Sequence, residues 1–184
     1  GMGRAPLAAV VALRLMRPDT LTFLDSHWAA HLRCSPSDLR SQRTLFLPDP
    51  DRAGAAVWLI DKTCALAASP PLTDHLRELL GSRAPGQAFE PGRLKMIAAE
   101  YGLPFHGPEA VLAADSGGFT SDGLRWINSF ESASEIQSSL GEAGERGLPL
   151  ISISLAHRAA RRAADACGFE LYATVIYIGE RTHP

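Results

Sequence analysis

The sequence has few cysteines, no long apolar run and no excess of charge of one sign. Its three cysteines, Cys34, Cys64 and Cys167, show no CxxC spacing, which argues against a disulfide framework or a zinc ribbon. Charges or prolines interrupt every apolar stretch before the roughly 20 residues that a membrane-spanning helix needs. The net charge of -2 offers no strong field for nucleic acid or an acidic membrane. We therefore expect no metal, no nucleic-acid partner, no membrane partner and a reducing, cytoplasmic location.

The overall composition is that of an ordinary globular protein. Hydrophobic residues make up 46% of the 184-residue chain and charged residues 21%, so the chain has enough apolar surface to fold. The apolar residues 6–16 resemble the core of a signal peptide, but Arg14 interrupts them and no small-residue cleavage site follows. We expect no secretion.

The N-terminal half shows a helix, a small sheet and two more helices. Apolar residues three and four apart predict a helix over residues 20–33. Short apolar runs separated by turn residues predict strands at 44–47, 55–60 and 64–68. Helices are predicted over 72–80 and 92–101, each ended by a left-handed glycine (Gly81 and Gly102), followed by an extended segment at 104–114.

The C-terminal half alternates strands and helices. The glycine pair in residues 115–118 marks the best boundary, which divides the chain into units 2–115 and 119–184, two lobes or one continuous domain. The pattern beyond it predicts, in order, a strand at 124–130, a helix at 134–146, a strand at 149–155, a helix at 156–167 stopped by Gly168, and a closing strand at 169–178. We expect a mixed α/β (α+β) fold.

This order of elements resembles a known enzyme superfamily. A strand, helix, strand and helix ending in Gly168-Phe169 before a long strand is similar to the C-terminal part of the GNAT superfamily of N-acyltransferases. Residues 22–48 and 65–71 look like the lead-in region of some longer members. The resemblance implies a mixed sheet with flanking helices, and transfer of an acyl group from acetyl-CoA or another acyl-CoA to a small-molecule amine.

The resemblance also gives the position of a diphosphate-binding loop. The family holds the coenzyme A diphosphate on an Arg- and Gly-rich loop at a helix N-terminus, where free amides and the helix dipole attract anions. The corresponding positions here are Ser132, Ala133 and Ser134, without arginine or glycine. Ser132 and Glu135 have the spacing of a capping box, and Glu131 adds a second negative charge. We expect these residues to oppose diphosphate binding.

The last helix carries the family's other functional positions. Members often have an asparagine near its start and, seven residues later, a tyrosine that protonates the departing thiolate. Those positions hold His157 and Ala164 here. His157 retains a side chain that a ligand could contact, whereas alanine cannot donate a proton. No catalytic residue is assigned from the sequence.

Three further combinations of residues have features of a functional site. His27 and His31 have the four-residue spacing of a metal pair, but no third ligand is evident, so we expect them at the polar edges of a buried helix. Cys34 lacks an evident activating base, and we expect it in the core. His106 and Glu109 flank a Gly-Pro pair, which favours a structural turn over an acid/base pair.

Two functions remain compatible with the sequence. The first is a divergent GNAT-like N-acyltransferase-related protein, with its catalytic competence left open because the loop and the tyrosine are absent. The alternative is a non-catalytic protein that binds a small ligand or forms a homodimer. Segment 169–178 has apolar residues on both faces, so we expect a partner to cover the second face, through this strand or other exposed apolar residues.

Overall fold

The computed structural model describes residues 16–114, 123–128, 130, 132–141 and 147–181. Its helices are α1 (Pro18–Leu32), α2 (Pro70–Leu80), α3 (Pro85–Ala88), α4 (Pro91–Glu100), α5 (Ala133–Leu140) and α6 (Arg158–Ala166), with a 3-10 helix at Asp38–Arg40. Its strands are β1 (Thr44–Pro48), β2 (Ala55–Ile60), β3 (Thr63–Ala68), β4 (Phe105–Ala114), β5 (Leu124–Trp126), β6 (Leu148–Ser154) and β7 (Phe169–Ile178). The predicted mixed α/β fold is confirmed.

The strands of both halves form one seven-stranded sheet. Their order is β1-β3-β2-β7-β4-β6-β5. The outer pairs β1–β3 and β5–β6 are parallel, and the pairs between them are antiparallel. The last strand, β7, therefore joins β2 of the first half to β4. This pairing makes the sheet continuous across the predicted boundary at 115–118, which lies outside the described residues.

The central place of β7 bears on the expected partner surface. One edge of β7 pairs with β4 along the strand, and the other pairs with β2 over residues 174–178. Val175 and Tyr177 lie in one core cluster and Ile176 and Ile178 in another, so helices of the same chain cover both faces of this part of the strand. Leu171, in the other part, is half exposed, and dimerisation through residues 169–178 stays a prediction.

Hydrophobic clusters cover both faces of the sheet. On one face, Leu24, Trp28 and Leu32 of α1 belong to a hydrophobic cluster that contains residues of all seven strands. On the other face, α2 and α4 cover the β1–β3–β2 end, while α5 and α6 cover β4 and β6. Alternate residues of each strand supply the two faces, as the pleat requires. In the described part of the chain, no helix has both the length and the apolar character to cross a bilayer.

Proline and glycine set several helix ends. Helices α1, α2, α3 and α4 each begin with proline, whose fixed φ suits the first helical turn and whose missing N–H costs nothing there. Gly102 has the predicted left-handed conformation, with φ of 63°, and Gly168, which was predicted to stop the last helix, has φ of 83°. Gly81 instead has φ of -60°, so the left-handed end predicted there is wrong. Residues 142–146 of the helix predicted over 134–146 lie outside the described residues.

Candidate functional site

The candidate site lies at the carboxyl ends of β5 and β6. Helix α5 follows β5, and α6 follows β6 after a short turn. Because the two strands are parallel, their carboxyl ends lie at the same edge of the sheet. The sequence-predicted residues Ser132 and His157 are the N-cap residues of these helices. Cys167 Sγ donates to Ala133 O at 3.4 Å, so the entrance of α5 lies beside the end of α6, whereas His157 stands at the start of α6.

Strands β5 and β6 separate at this edge. They pair only from Leu124↔Leu148 to Trp126↔Leu150, and Ile127 N then donates a last hydrogen bond of 2.8 Å to Leu150 O. Strand β6 continues to Ser154, whereas the strand predicted over 124–130 ends at Trp126. A cavity of about 210 Å³ lies at this opening. Its lining residues are Phe130, Ser152, Ile153, Ser154, His157 and Ala160.

Beside this cavity, one edge of β6 is not paired with another described strand. Leu148 N donates to Gly123 O at 2.9 Å, and Leu150 O accepts from Ile127 N, so these two residues direct their backbone groups toward β5. Backbone groups alternate in direction along a strand, so the amide and carbonyl of Ser152 point the same way. In the described part of the chain, no strand lies beside Ser152 on that side. The cavity wall thus presents a backbone donor and acceptor.

The entrance of α5 is capped by its own side chains. Ser132 Oγ accepts from Glu135 N, and Ser132 N donates to Glu135 Oε2, both at 3.3 Å. The predicted capping box is confirmed. The two interactions satisfy two backbone donors and hold the Glu135 carboxylate beside Ala133 and Ser134. Glu131, the other acidic residue of the prediction, lies outside the described residues.

The entrance of α6 is capped in a similar way. His157 Nδ1 accepts a 3.1 Å hydrogen bond from Ala160 N, so the imidazole occupies the capping position while its ring lines the cavity. Ala164 lies one turn beyond Ala160 and is fully buried in the cluster that contains Ile136 and Phe169. The position that resembles the family's tyrosine is therefore a packing position beneath α6.

The Ser152 side chain belongs to a polar cluster with Glu109 and Arg181, which the sequence pattern did not indicate. Ser152 Oγ donates to Glu109 Oε2 at 3.1 Å, and Arg181 Nε donates to the same oxygen at 3.0 Å. These residues are 43 and 72 positions from Glu109, so no local pattern indicates them. Burial raises the pKa of nearby Tyr177, and the Glu109 carboxylate raises it further. Glu109 thus accepts hydrogen bonds from Ser152 and Arg181. Where a turn was expected, the pairing register of β4 shifts between His106 and Glu109.

A second cavity, of about 350 Å³, lies at the end of α1. His31, Asp49, Arg52 and Glu180 are among its lining residues. Arg52 Nη2 lies 3.2 Å from His31 Nε2. Burial and the Arg52 charge lower the pKa of His31 to about 4, so its imidazole is neutral at pH 7. Among the described residues, no group of three or more His, Cys, Asp or Glu is arranged to hold a metal ion.

Cys34 and Cys64 are poor nucleophiles. Burial, with a smaller contribution from Asp38, raises the pKa of Cys34 to about 11. Burial alone raises the pKa of Cys64 to about 12. The thiolate is the reactive form, so both thiols are unreactive at neutral pH.

The chain was compared with sequence models of protein families, with curated proteins and with solved structures, and none of the three comparisons gives a match.

Proposed function

We propose that the protein is a divergent GNAT-like N-acyltransferase-related protein, and that the cavity between β5 and β6 receives the thioester arm of an acyl-CoA. The observation that carries the proposal is the separation of these strands, which leaves the Ser152 backbone facing the cavity. The pantetheine arm of coenzyme A is extended and contains two amides. It is therefore suited to hydrogen-bond to the edge of β6 in the manner of an added strand.

The N-termini of α5 and α6 contribute little to binding of the nucleotide end of the coenzyme. Ser132 and His157 both accept hydrogen bonds from the first-turn amides of their own helices. The Glu135 carboxylate also repels a diphosphate, by about 1 kcal/mol at 4 Å in water and more away from water. In this proposal the affinity comes from the arm, and the diphosphate stays in solvent.

Acyl transfer from this cavity would proceed without a side-chain acid from α6. An amine would attack the thioester carbonyl, and the Ser152 N–H would stabilise the oxyanion. The departing thiolate would take its proton from water, because Ala164 has none to give, and the hydroxide so formed would take the proton that the attacking amine nitrogen loses. General acid catalysis typically contributes roughly 10²–10⁴-fold, so we expect slow transfer to a small-molecule amine.

Filling the cavity tests this proposal. Ala160 is buried and lines the cavity, whereas Ala159 is exposed on the same helix. Calorimetry should detect binding of acetyl-CoA to the wild-type protein and to Ala159→Leu, and no binding to Ala160→Leu. Equal binding to all three proteins would exclude the cavity as the site. No binding to the wild type would overturn the proposed function itself.

A non-catalytic binding protein is the second candidate. The buried Ala164 and the two capped helix entrances favour it, because both remove groups that transfer needs. Thiol release in the presence of acetyl-CoA and a panel of primary amines distinguishes the two. Release above the rate without amine supports transfer, and binding without release supports a ligand-binding protein. We propose a cytoplasmic location for either role, in line with three free cysteines.

A further inference from the structure

An exposed apolar groove lies on the opposite half of the molecule from the acyl-CoA cavity. It runs between α2 and α4 and has a volume of about 550 Å³. Leu79 of α2 and Met96 of α4 line it, with 42% and 67% of their surface exposed. They are two of five large apolar residues exposed in the described part of the chain. Two large apolar side chains along one groove favour a partner surface.

The charges along α4 follow a symmetric order. Arg93, Met96 and Glu100 are three and four residues apart, so they lie along one face of the helix. Met96 lies near the middle of this stripe, with a cation at one end and an anion at the other. Turning the stripe end over end exchanges the two charges and leaves the methionine in place.

The same charges oppose the helix dipole. Arg93 lies in the first turn of α4, and Glu100 is its last residue. A helix prefers the reverse arrangement, with anions at its N-terminus and cations at its C-terminus. At the N-terminus the Glu90 carboxylate caps the helix and interacts with the Arg93 charge, which offsets it. Within the described part of the chain, no ion pair compensates Glu100 at the other end. Stability of the isolated helix therefore does not account for Glu100.

We infer that the groove between α2 and α4 is the contact surface of a homodimer. Two copies related by a two-fold axis through Met96 bring their α4 helices together antiparallel. Arg93 of each copy then faces Glu100 of the other, and each Met96 lies over the groove beside Leu79. A surface that is complementary to itself in this way is the requirement of a two-fold interface. The antiparallel arrangement also places each helix N-terminus near the partner helix's C-terminus, where the dipoles attract.

Charge variants test the pairing itself. Sedimentation should show a dimer for the wild type and weaker association, by at least about tenfold, for Arg93→Glu or Glu100→Arg, because each places like charges opposite one another. The double variant R93E/E100R should dimerise like the wild type. A mixture of the two single variants should form a heterodimer, since all four facing charges then pair. Circular dichroism checks that each variant is folded.

Several results would overturn the inference. These are a wild-type monomer at high concentration, single variants that dimerise like the wild type, or a double variant as weak as the singles. Met96→Asp adds an independent check on the apolar contact and should abolish the dimer. Lys95→Asp, on the next exposed residue of α4, should retain it. The acyl-CoA cavity is not part of this surface, so failure here leaves the proposed function unaffected.

Discussion

Tyr172 Oη donates a 2.9 Å hydrogen bond to Asp25 Oδ1, which connects β7 to α1 across 147 residues of sequence. Arg40 completes the group, with Nε and Nη2 each 2.8 Å from the two carboxylate oxygens. Burial raises the pKa of Tyr172, and the neighbouring Asp25 charge raises it further, so the phenol stays protonated and remains a donor. The carboxylate thus ties together the first helix, the 3-10 helix and the central strand.

Replacing this carboxylate should destabilise the protein. Asp25→Asn keeps the shape of the side chain but leaves the Arg40 guanidinium without its counterion, so we expect a loss of about 2 kcal/mol in the free energy of unfolding. Urea denaturation measures it. Asp74→Asn is the control, because Asp74 forms an exposed pair with Arg77 at 3.6 Å, and surface pairs contribute little. Equal losses from both substitutions would contradict this role for Asp25.

The α5 cap should contribute measurably to stability. Ser132→Ala removes the acceptor for Glu135 N and should cost about 1 kcal/mol, which lowers the thermal midpoint. Ser138→Ala, at an exposed position inside the same helix, should be neutral or slightly stabilising because alanine favours helices. If Ser132→Ala unfolds at the same temperature as Ser138→Ala, the capping box does not hold the entrance.

His31 should make the protein less stable as the pH falls. The unfolded chain binds a proton at His31 near pH 6.5, and the folded protein binds it only at about 4. Between these values the unfolded state holds more protons, so stability decreases as the pH falls from about 6.5 to about 4. His31→Gln should reduce this slope in urea titrations across that range. His106→Gln, at an exposed histidine, is the control, and an unchanged slope in His31→Gln would refute the prediction.

A tyrosine introduced at position 164 of α6 should not supply an acid. Ala164 is fully buried, so Ala164→Tyr overfills the core and should cost at least about 1–3 kcal/mol. Ala159→Tyr, on the exposed side of the helix, should leave stability near that of the wild type. Thermal unfolding and thiol release measure the two effects. A stable Ala164→Tyr variant with faster thiol release would show that position 164 faces the reacting groups.

Local sequence patterns predicted the individual helices and strands better than the order of the strands in the sheet. Strands β2 and β7 have the predicted bounds, because turns enclose the first and Gly168 precedes the second. The insertion of β7 between β2 and β4 was not predicted, since pairing between distant strands leaves no local signal. The strand predicted over 124–130 ends at Trp126, because β6 stops pairing with it there. The prediction was too long because apolar and polar residues continue to alternate beyond Trp126.

The candidate site was predictable only where its contacts are local. The spacing of Ser132 and Glu135 predicted the capping box, whose two residues are three positions apart in the sequence. The links from Glu109 to Ser152 and Arg181 join separate strands and the chain beyond β7. The cavity itself forms where β5 and β6 separate, and the residue types do not indicate where that happens.

The most direct test compares acetyl-CoA with S-acetylpantetheine, which has the thioester arm without the nucleotide diphosphate. We predict that both compounds bind to the cavity with affinities within about tenfold, a difference below about 1.4 kcal/mol. Much tighter binding of acetyl-CoA would show that the entrances at Ser132 and His157 do hold the diphosphate. Binding of neither compound would show that the edge of β6 is not a thioester site.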